Sequence, residues 1–201
     1  SLIKEKVKVI ASSRNQINYD CEYIALDITL QNSINHLYDY LKQKHEFLNG
    51  IVFAAGISLP PKNKIDKFNE NKLQDPKLFR QLLKTNLISI YDCIYSLERL
   101  LEKNSSIILI SSIGAHLAFP NNTGYQVSKA GLESMTRSLA YELGEKNIRA
   151  NNIVLGYFKT EMTIESFTDS KLRNERAERT ILRRWGETNE ISGAVKFLLS
   201  D

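Results

Sequence analysis

The chain has 201 residues, 42% of them hydrophobic and 25% charged, with 27 Lys and Arg against 23 Asp and Glu for a net charge of +4. That length and balance fit one globular domain with enough chain for a core. With no long basic run they do not argue for a nucleic-acid binder, and no apolar run reaches the roughly 18 residues of a membrane span. The two cysteines, Cys21 and Cys93, follow no metal-ligand spacing and read as unpaired thiols of a reducing cytoplasm. With no signal peptide in view, the expected location is cytoplasmic.

In chain order, residues 1–6 read as the tail of a helix and 7–13 (VKVIASS) as a strand followed by Arg14 and Asn15. A second strand covers 22–27 (EYIALD), and Thr29 stands where it can cap the next helix. That helix, 30–46, puts Ile34, Leu37, Tyr38 and Leu41 on one face, with His36 and His45 as surface residues. Residues 50–56 (GIVFAAG) form a short buried strand ending in small residues. The pattern then breaks over 57–74, around Pro60 and Pro61. A long helix spans 77–102 with Leu78, Leu82, Ile90, Ile94 and Leu97 as its apolar positions and Asn86 inside it. The run Ile107–Ile110 is a buried parallel strand ending in Ser111 and Ser112. Gly114, Pro120, Asn121 and Asn122 turn the loop after it, and a helix over 123–144 carries Tyr125 and Lys129. Another strand covers 148–154, a charged amphipathic stretch 163–184, and a last helix 188–200.

Tyr125 and Lys129 are four residues apart and share one helix face. Ser112 lies thirteen residues before Tyr125 and Ser111 fourteen. Reduction of a carbonyl needs a hydride on carbon and a proton on oxygen. A phenol near its ordinary pKa of about 10 is a poor acid–base group at neutral pH, and a neighbouring ammonium would lower it. The strand end with Ser112, the loop, Tyr125, Lys129 and the following AGLESMTRSLAYEL together resemble the short-chain dehydrogenase/reductase family. The helix and lid pattern is similar to its 3-oxoacyl-[acyl-carrier-protein] reductases.

The resemblance implies an α/β, Rossmann-like fold: a doubly wound parallel sheet with helices on both faces, in one domain over 1–201 with a lid at about 160–185. It implies a Ser112, Tyr125, Lys129 and Asn86 active site, in which Ser112 orients the oxygen, Tyr125 moves the proton, Lys129 tunes Tyr125 and holds the ribose, and Asn86 kinks its helix and supports a proton relay. The cofactor residues it implies are Ser13, Arg14, Asp27, Ile28, Ala54, Ala55, Gly56, Tyr125, Lys129, Gly156, Phe158 and Thr160. Ser13 and Arg14 at the strand end, with no acid, suit a ribose 2′-phosphate and so NADP(H), with NAD(H) as the alternative. Phe53, Ala54 and Leu155 replace the family's usual Asn, Asn and Pro. The family's first strand with its Gly-rich turn and its last strand have no counterpart in these residues, so a slot is expected between the strands at 7–13 and 50–55, with two unpaired edges. The step from Gly56 to Asn86 is longer than in a minimal member, and reads equally as a substrate-side insertion or a solvated loop.

The function implied is NAD(P)(H)-dependent interconversion of a carbonyl and a secondary alcohol in a homotetramer or homodimer. The substrate is a small molecule, with a carrier-bound acyl chain as the leading candidate and a sugar or polyol as its rival. No nucleic acid, membrane or metal is expected as a partner. The other class is a non-catalytic relative that only binds a partner. The four active-site residues argue against that class, and the substitutions at Phe53, Ala54 and Leu155 argue for it.

Overall fold

The computed structural model describes residues 2, 7–16, 20–58 and 73–200. Strand β1 (Ile10–Ser13) pairs in parallel with β2 (Glu22–Ala25), with Ile10 opposite Glu22 and Ser13 opposite Ala25. Helix α1 (Gln31–Lys44) buries Ile34, Leu37 and Leu41, the stripe its apolar period dictates. Strands β3 (Leu48–Phe53), β4 (Leu101–Ser112) and β5 (Arg149–Leu155) form a second parallel sheet in that order. β4 is central, and Ile107, Ile108 and Leu109 are each 0% exposed. A strand covered on both faces needs such an unbroken apolar run.

Helix α2 (Pro76–Leu83) starts sharply because the Asp75 carboxylate accepts the N–H groups of Lys77 and Leu78, with Pro76 in the first turn. One π-helical turn, Lys84–Ile88, joins it to α3 (Ser89–Leu97). Helix α4 (Thr123–Glu142) lays Leu132 and Leu139 into the core that α1, α3, β3 and β4 share. Two-residue strands β6 (Phe158–Lys159) and β7 (Gly186–Glu187) pair in parallel, with α5 (Ile164–Thr168) and α6 (Ser170–Glu178) between them. Helix α7 (Ser192–Leu199) closes against the sheet: Ser106 Oγ donates to the Leu198 carbonyl at 2.7 Å. A Cβ at Gly50 would stand 2.6 Å from Leu199 Cδ2, so the glycine sets how closely α7 approaches β3.

Among the described residues the two sheets share no ladder. A cavity of about 830 Å³ lies between β1 and β3, lined by Val9, Ile10, Leu37, Val52, Phe53 and Cys93 among others. Burial pushes the Cys93 thiol up to about 12, and both cysteines are free.

Several sequence expectations need correction. The helix over 77–102 ends at Leu97, followed by a 3-10 turn at Glu98–Leu100, because Leu101 already pairs with Leu48 in the β3–β4 ladder. The stretch 163–184 breaks at Asp169, whose carboxylate caps α6 by accepting the Leu172 N–H. Thr29 caps nothing. Its N–H and hydroxyl both donate to Asp27 Oδ1, and Leu30 occupies the N-cap of α1. His45 is not a surface residue: its side chain is 10% exposed, with Nε2 2.9 Å from Glu22 Oε1. The helix tail read over 1–6 and the loop read over 57–74 fall largely on 1, 3–6 and 59–72, outside the described residues.

Candidate active site

Strand alternation points the two serines at the end of β4 to opposite faces. Ser111 is 2% exposed and turns back toward α4, with Oγ donating to the Lys129 carbonyl at 3.1 Å and lying 3.4 Å from Glu133 Oε1. Ser112 turns the other way: its Oγ accepts the Gly114 N–H at 3.1 Å. A Cβ on Gly114 would stand 3.2 Å from the Tyr125 ring and 3.5 Å from Ser112 Oγ, so the turn is a close cover on both.

Helical spacing then sets Lys129 beside Tyr125. Lys129 is 5% exposed; its Nζ donates to the Ile110 carbonyl at 2.8 Å and lies 5.7 Å from the centre of the Tyr125 ring. Asn86, 0% exposed in the π turn, reaches across from the other side. Its Oδ1 accepts the Ile57 N–H at 2.8 Å, and its Nδ2 donates to the Ile57 carbonyl at 2.9 Å and to Ser128 Oγ at 3.3 Å. A Cβ on Gly56 would lie 3.4 Å from Asn86 Oδ1 and 3.6 Å from Lys129 Nζ. Gly56, Asn86, Ser112, Tyr125 and Lys129 therefore share one site at the carboxyl ends of β3 and β4, where ligands of open parallel sheets bind.

Burial governs the charges. Desolvation pushes the Tyr125 phenol above its ordinary value, and the Ser112 hydrogen bond offsets this only in part. Desolvation also lowers the Lys129 ammonium from 10.5 to about 8. The expected depression of Tyr125 by Lys129 does not operate in this arrangement, because the ammonium is turned to the Ile110 carbonyl.

The remaining sequence candidates fall into two groups. Ser13, Arg14 and Asp27 lie at the ends of β1 and β2. Ser13 Oγ donates to the Asn15 carbonyl, Arg14 is exposed, and the Thr29 hydroxyl leads in holding the Asp27 carboxyl below its usual range. Ile28 is 7% exposed, its side chain packed in the core cluster. Ala54 and Ala55 follow β3 in the exposed stretch that leads to Gly56. Beyond β5, Gly156 has open space where a Cβ would stand. Phe158 covers Gly186 with its ring and gives its carbonyl to Thr163 Oγ1 at 2.6 Å. The Thr160 hydroxyl pairs with Thr163 Oγ1 at 3.1 Å. The sequence reading missed Glu133, which bridges Ser111 and His116 Nε2, the latter at 2.9 Å. Its signal was its place one helical turn past Lys129.

A nicotinamide dinucleotide fits this donor set. Lys129 Nζ directs one of its three N–H groups to Ile110, and Arg14 has no ion pair among the described residues.

A family model described as enoyl-(acyl carrier protein) reductase matches residues 2–201. L-xylulose reductase of Caenorhabditis elegans is 31% identical over 216 residues, an alignment that spans 100% of this chain and 82% of that protein. Enoyl-[acyl-carrier-protein] reductase [NADH] FabI of Rickettsia prowazekii (strain Madrid E) is 29% identical, over 100% of this chain and 74% of that one. The crystal structure of a short chain dehydrogenase family protein from Francisella tularensis superposes with a TM-score of 0.83 at 26% identity, covering 96% of this chain and 81% of that one. The parallel strands and their flanking helices thus have counterparts in that short chain dehydrogenase structure. The chain belongs to the short-chain dehydrogenase/reductase family.

Proposed function

We propose that this chain is an NADP(H)-dependent oxidoreductase that interconverts a carbonyl and a secondary alcohol. The observation that carries the reading is that Ser112 Oγ and the Tyr125 ring close on one spot, 3.5 Å and 3.2 Å from where a Cβ on Gly114 would stand: two hydroxyl-bearing side chains converge where one substrate oxygen would sit. The nicotinamide supplies or accepts the hydride at the substrate carbon. In the reducing direction Tyr125 Oη gives its proton to the oxygen as negative charge develops there, while Ser112 Oγ donates a second hydrogen bond to it. Burial keeps Tyr125 protonated at neutral pH, the form that reduction uses. Lys129, mostly cationic at neutrality, offers the cofactor ribose the N–H groups that are not turned to Ile110. Asn86 ties Ile57 to α4 and keeps the floor of the site in place.

Exposed Arg14 at the end of β1 supports a 2′-phosphate and hence NADP(H). The NADH named for the Rickettsia relative supports NAD(H) as the alternative. That relative and the description of the family model also favour a second reading of the substrate, a carbon–carbon double bond beside a thioester carbonyl. The ketose reductase relative and the paired hydroxyls support a carbonyl substrate, with 3-oxoacyl thioesters and sugars as the classes to screen. Tyr91, Tyr95 and Ile88 on the π turn and α3, with Val127 and Tyr141 on α4, are exposed and offer a face for self-association as dimer or tetramer. No helix among the described residues is long and apolar enough to cross a membrane.

Calorimetry with NADPH and NADH, beside turnover of a carbonyl panel followed by NADPH absorbance, tests the reading. Binding of NADPH with turnover lost in Tyr125→Phe and binding retained is the expected result. Turnover undiminished in Tyr125→Phe refutes the assignment of the proton donor, and no binding of either nucleotide refutes the oxidoreductase reading.

A further inference from the structure

A cluster of aromatic rings and cations lies just past the carboxyl end of β5. Ser112 is opposite Leu155 in the β4–β5 ladder, and Tyr157 is two residues further on. The Tyr157 and Trp185 ring centres are 5.6 Å apart, and Phe167 meets Trp185 edge-on at 5.4 Å. Trp185 is buried, and its Nε1 donates to the Arg173 carbonyl at 3.0 Å, which fixes α6 over the cluster. Arg176 lies 5.5 Å from the Tyr157 ring and 5.8 Å from the Trp185 ring, and Arg173 lies 5.8 Å from Phe167.

These two guanidinium groups differ from others nearby. Both residues are half-buried, and among the described residues neither donates a guanidinium hydrogen bond or has a carboxylate within 4 Å. In the same segment Arg184 is held by two hydrogen bonds to Glu190 and Arg183 donates to the Glu178 carbonyl at 2.7 Å, while Lys159 joins the cluster 4.8 Å from the Phe167 ring. A guanidinium stacked on a ring uses its face and leaves its N–H edge free for a planar or tetrahedral anion. A half-buried cation without a partner is also costly until an anion meets it.

We propose that Arg173 and Arg176 receive an anionic group of the substrate, a carboxylate or a phosphate, roughly 10–15 Å along the chain path from the reacting oxygen. This deepens the proposed function and rests on it for the position of that oxygen. The substrate is then an oxo-acid or a phosphorylated carbonyl compound, and its neutral counterpart is discriminated against.

Trp185 is the only tryptophan, so its fluorescence reports this site without any hydride chemistry. The probes are two matched pairs: 5-oxohexanoate with its methyl ester, and dihydroxyacetone phosphate with dihydroxyacetone. The expected result is a saturable change in fluorescence with one or both anions, absent with the neutral partners. In Arg173→Gln/Arg176→Gln the anion should bind at least about tenfold more weakly, and the anion-to-neutral ratio of kcat/KM with NADPH should fall by a similar factor. Arg176→Lys, which keeps the charge, should recover part of the loss, and equal melting temperatures would show that the variants fold. The pair that responds separates carboxylate from phosphate. No saturable change with either anion, or the same affinity in the double variant, overturns the proposal. If the anion binds through the arginines but no carbonyl is turned over, the hydride-transfer reading fails and the anion site stands.

Discussion

Lys129→Met should stabilise the protein at neutral pH, and the gain should vanish in alkali. The ammonium is buried, and desolvation lowers its folded-state value from 10.5 to about 8. Below pH 8 both the folded and the unfolded chain carry the proton, so the folded state bears the full cost of the buried charge. Between 8 and 10.5 the unfolded chain keeps a proton that the folded chain has released, so wild-type stability rises with pH through this window relative to Met. Above 10.5 neither state is charged and the difference closes. The interval from 10.5 to about 8 corresponds to about 3 kcal/mol. Losing the hydrogen bond to the Ile110 carbonyl takes back roughly 1 kcal/mol of that. The net expectation is about 2 kcal/mol of added stability near pH 7, with catalysis lost. Urea denaturation of both proteins at pH 6.5, 7.5, 9 and 10 measures it. A Met variant no more stable than wild type at pH 7, or an advantage that stays constant to pH 10, would show that the ammonium is not held in a desolvated place.

Asn86→Ala should cost about 2–3 kcal/mol in the same denaturation experiment, since it strips the partners from Ile57 N–H and C=O at once; a cost below about 0.5 kcal/mol would mean that water replaces the amide freely. Gly124→Ala places a Cβ 3.1 Å from Phe79 Cα, a backbone atom that cannot swing away, and 3.1 Å from Leu82 Cδ1. Overpacking between α2 and α4 should lower stability by about 1–3 kcal/mol, and an unchanged melting temperature would refute the tight contact. The pH profile of kcat/KM for reduction should be level through neutrality and fall only in alkali, because burial raises the Tyr125 value and reduction uses the protonated phenol. Oxidation should show the opposite slope, and a reduction rate that rises with pH would exclude Tyr125 as the donor.

Part of this architecture is legible in the sequence because period and position coincide. The run Ile107–Ile110 reads as a buried strand, and within β4 Ile107, Ile108 and Leu109 are 0% exposed while Ile110 is half-buried. Counting thirteen residues back from Tyr125 selects Ser112 over Ser111, and strand alternation places those two hydroxyls on opposite sides of β4. The i, i+4 rule brings Tyr125 and Lys129 together. Other features were hidden because they depend on tertiary partners. His45 looks like a surface residue at the end of a polar helix face until β2 supplies Glu22. Thr29 looks like a cap, but Asp27 competes for its hydroxyl at 2.6 Å. The direction of the Tyr125 shift followed from a charge argument in which Lys129 faces the phenol. Burial, which no local pattern reveals, reverses it.

The π turn is the least legible feature, and the spacing of buried residues explains why it is there. Leu82, Asn86, Ile90 and Ile94 are 0%, 0%, 0% and 2% exposed, a buried residue at every fourth position. At 3.6 residues per turn a step of four overshoots by about 40°, so three steps would rotate the last residue about 120° away from the first. The turn at Lys84–Ile88, with hydrogen bonds from i to i+5, uses more residues per revolution and absorbs part of that drift. Asn86 stands in the middle of it. A regular helix over 77–102 would satisfy the average apolar pattern equally well, so hydrophobic periodicity alone cannot distinguish the two. What separates them is the amide, which must face Ile57 and Ser128 while Leu82 and Ile94 both remain in the core. The irregular turn is therefore the backbone's solution to a polar requirement set by the site, inside a helix whose other constraints are apolar.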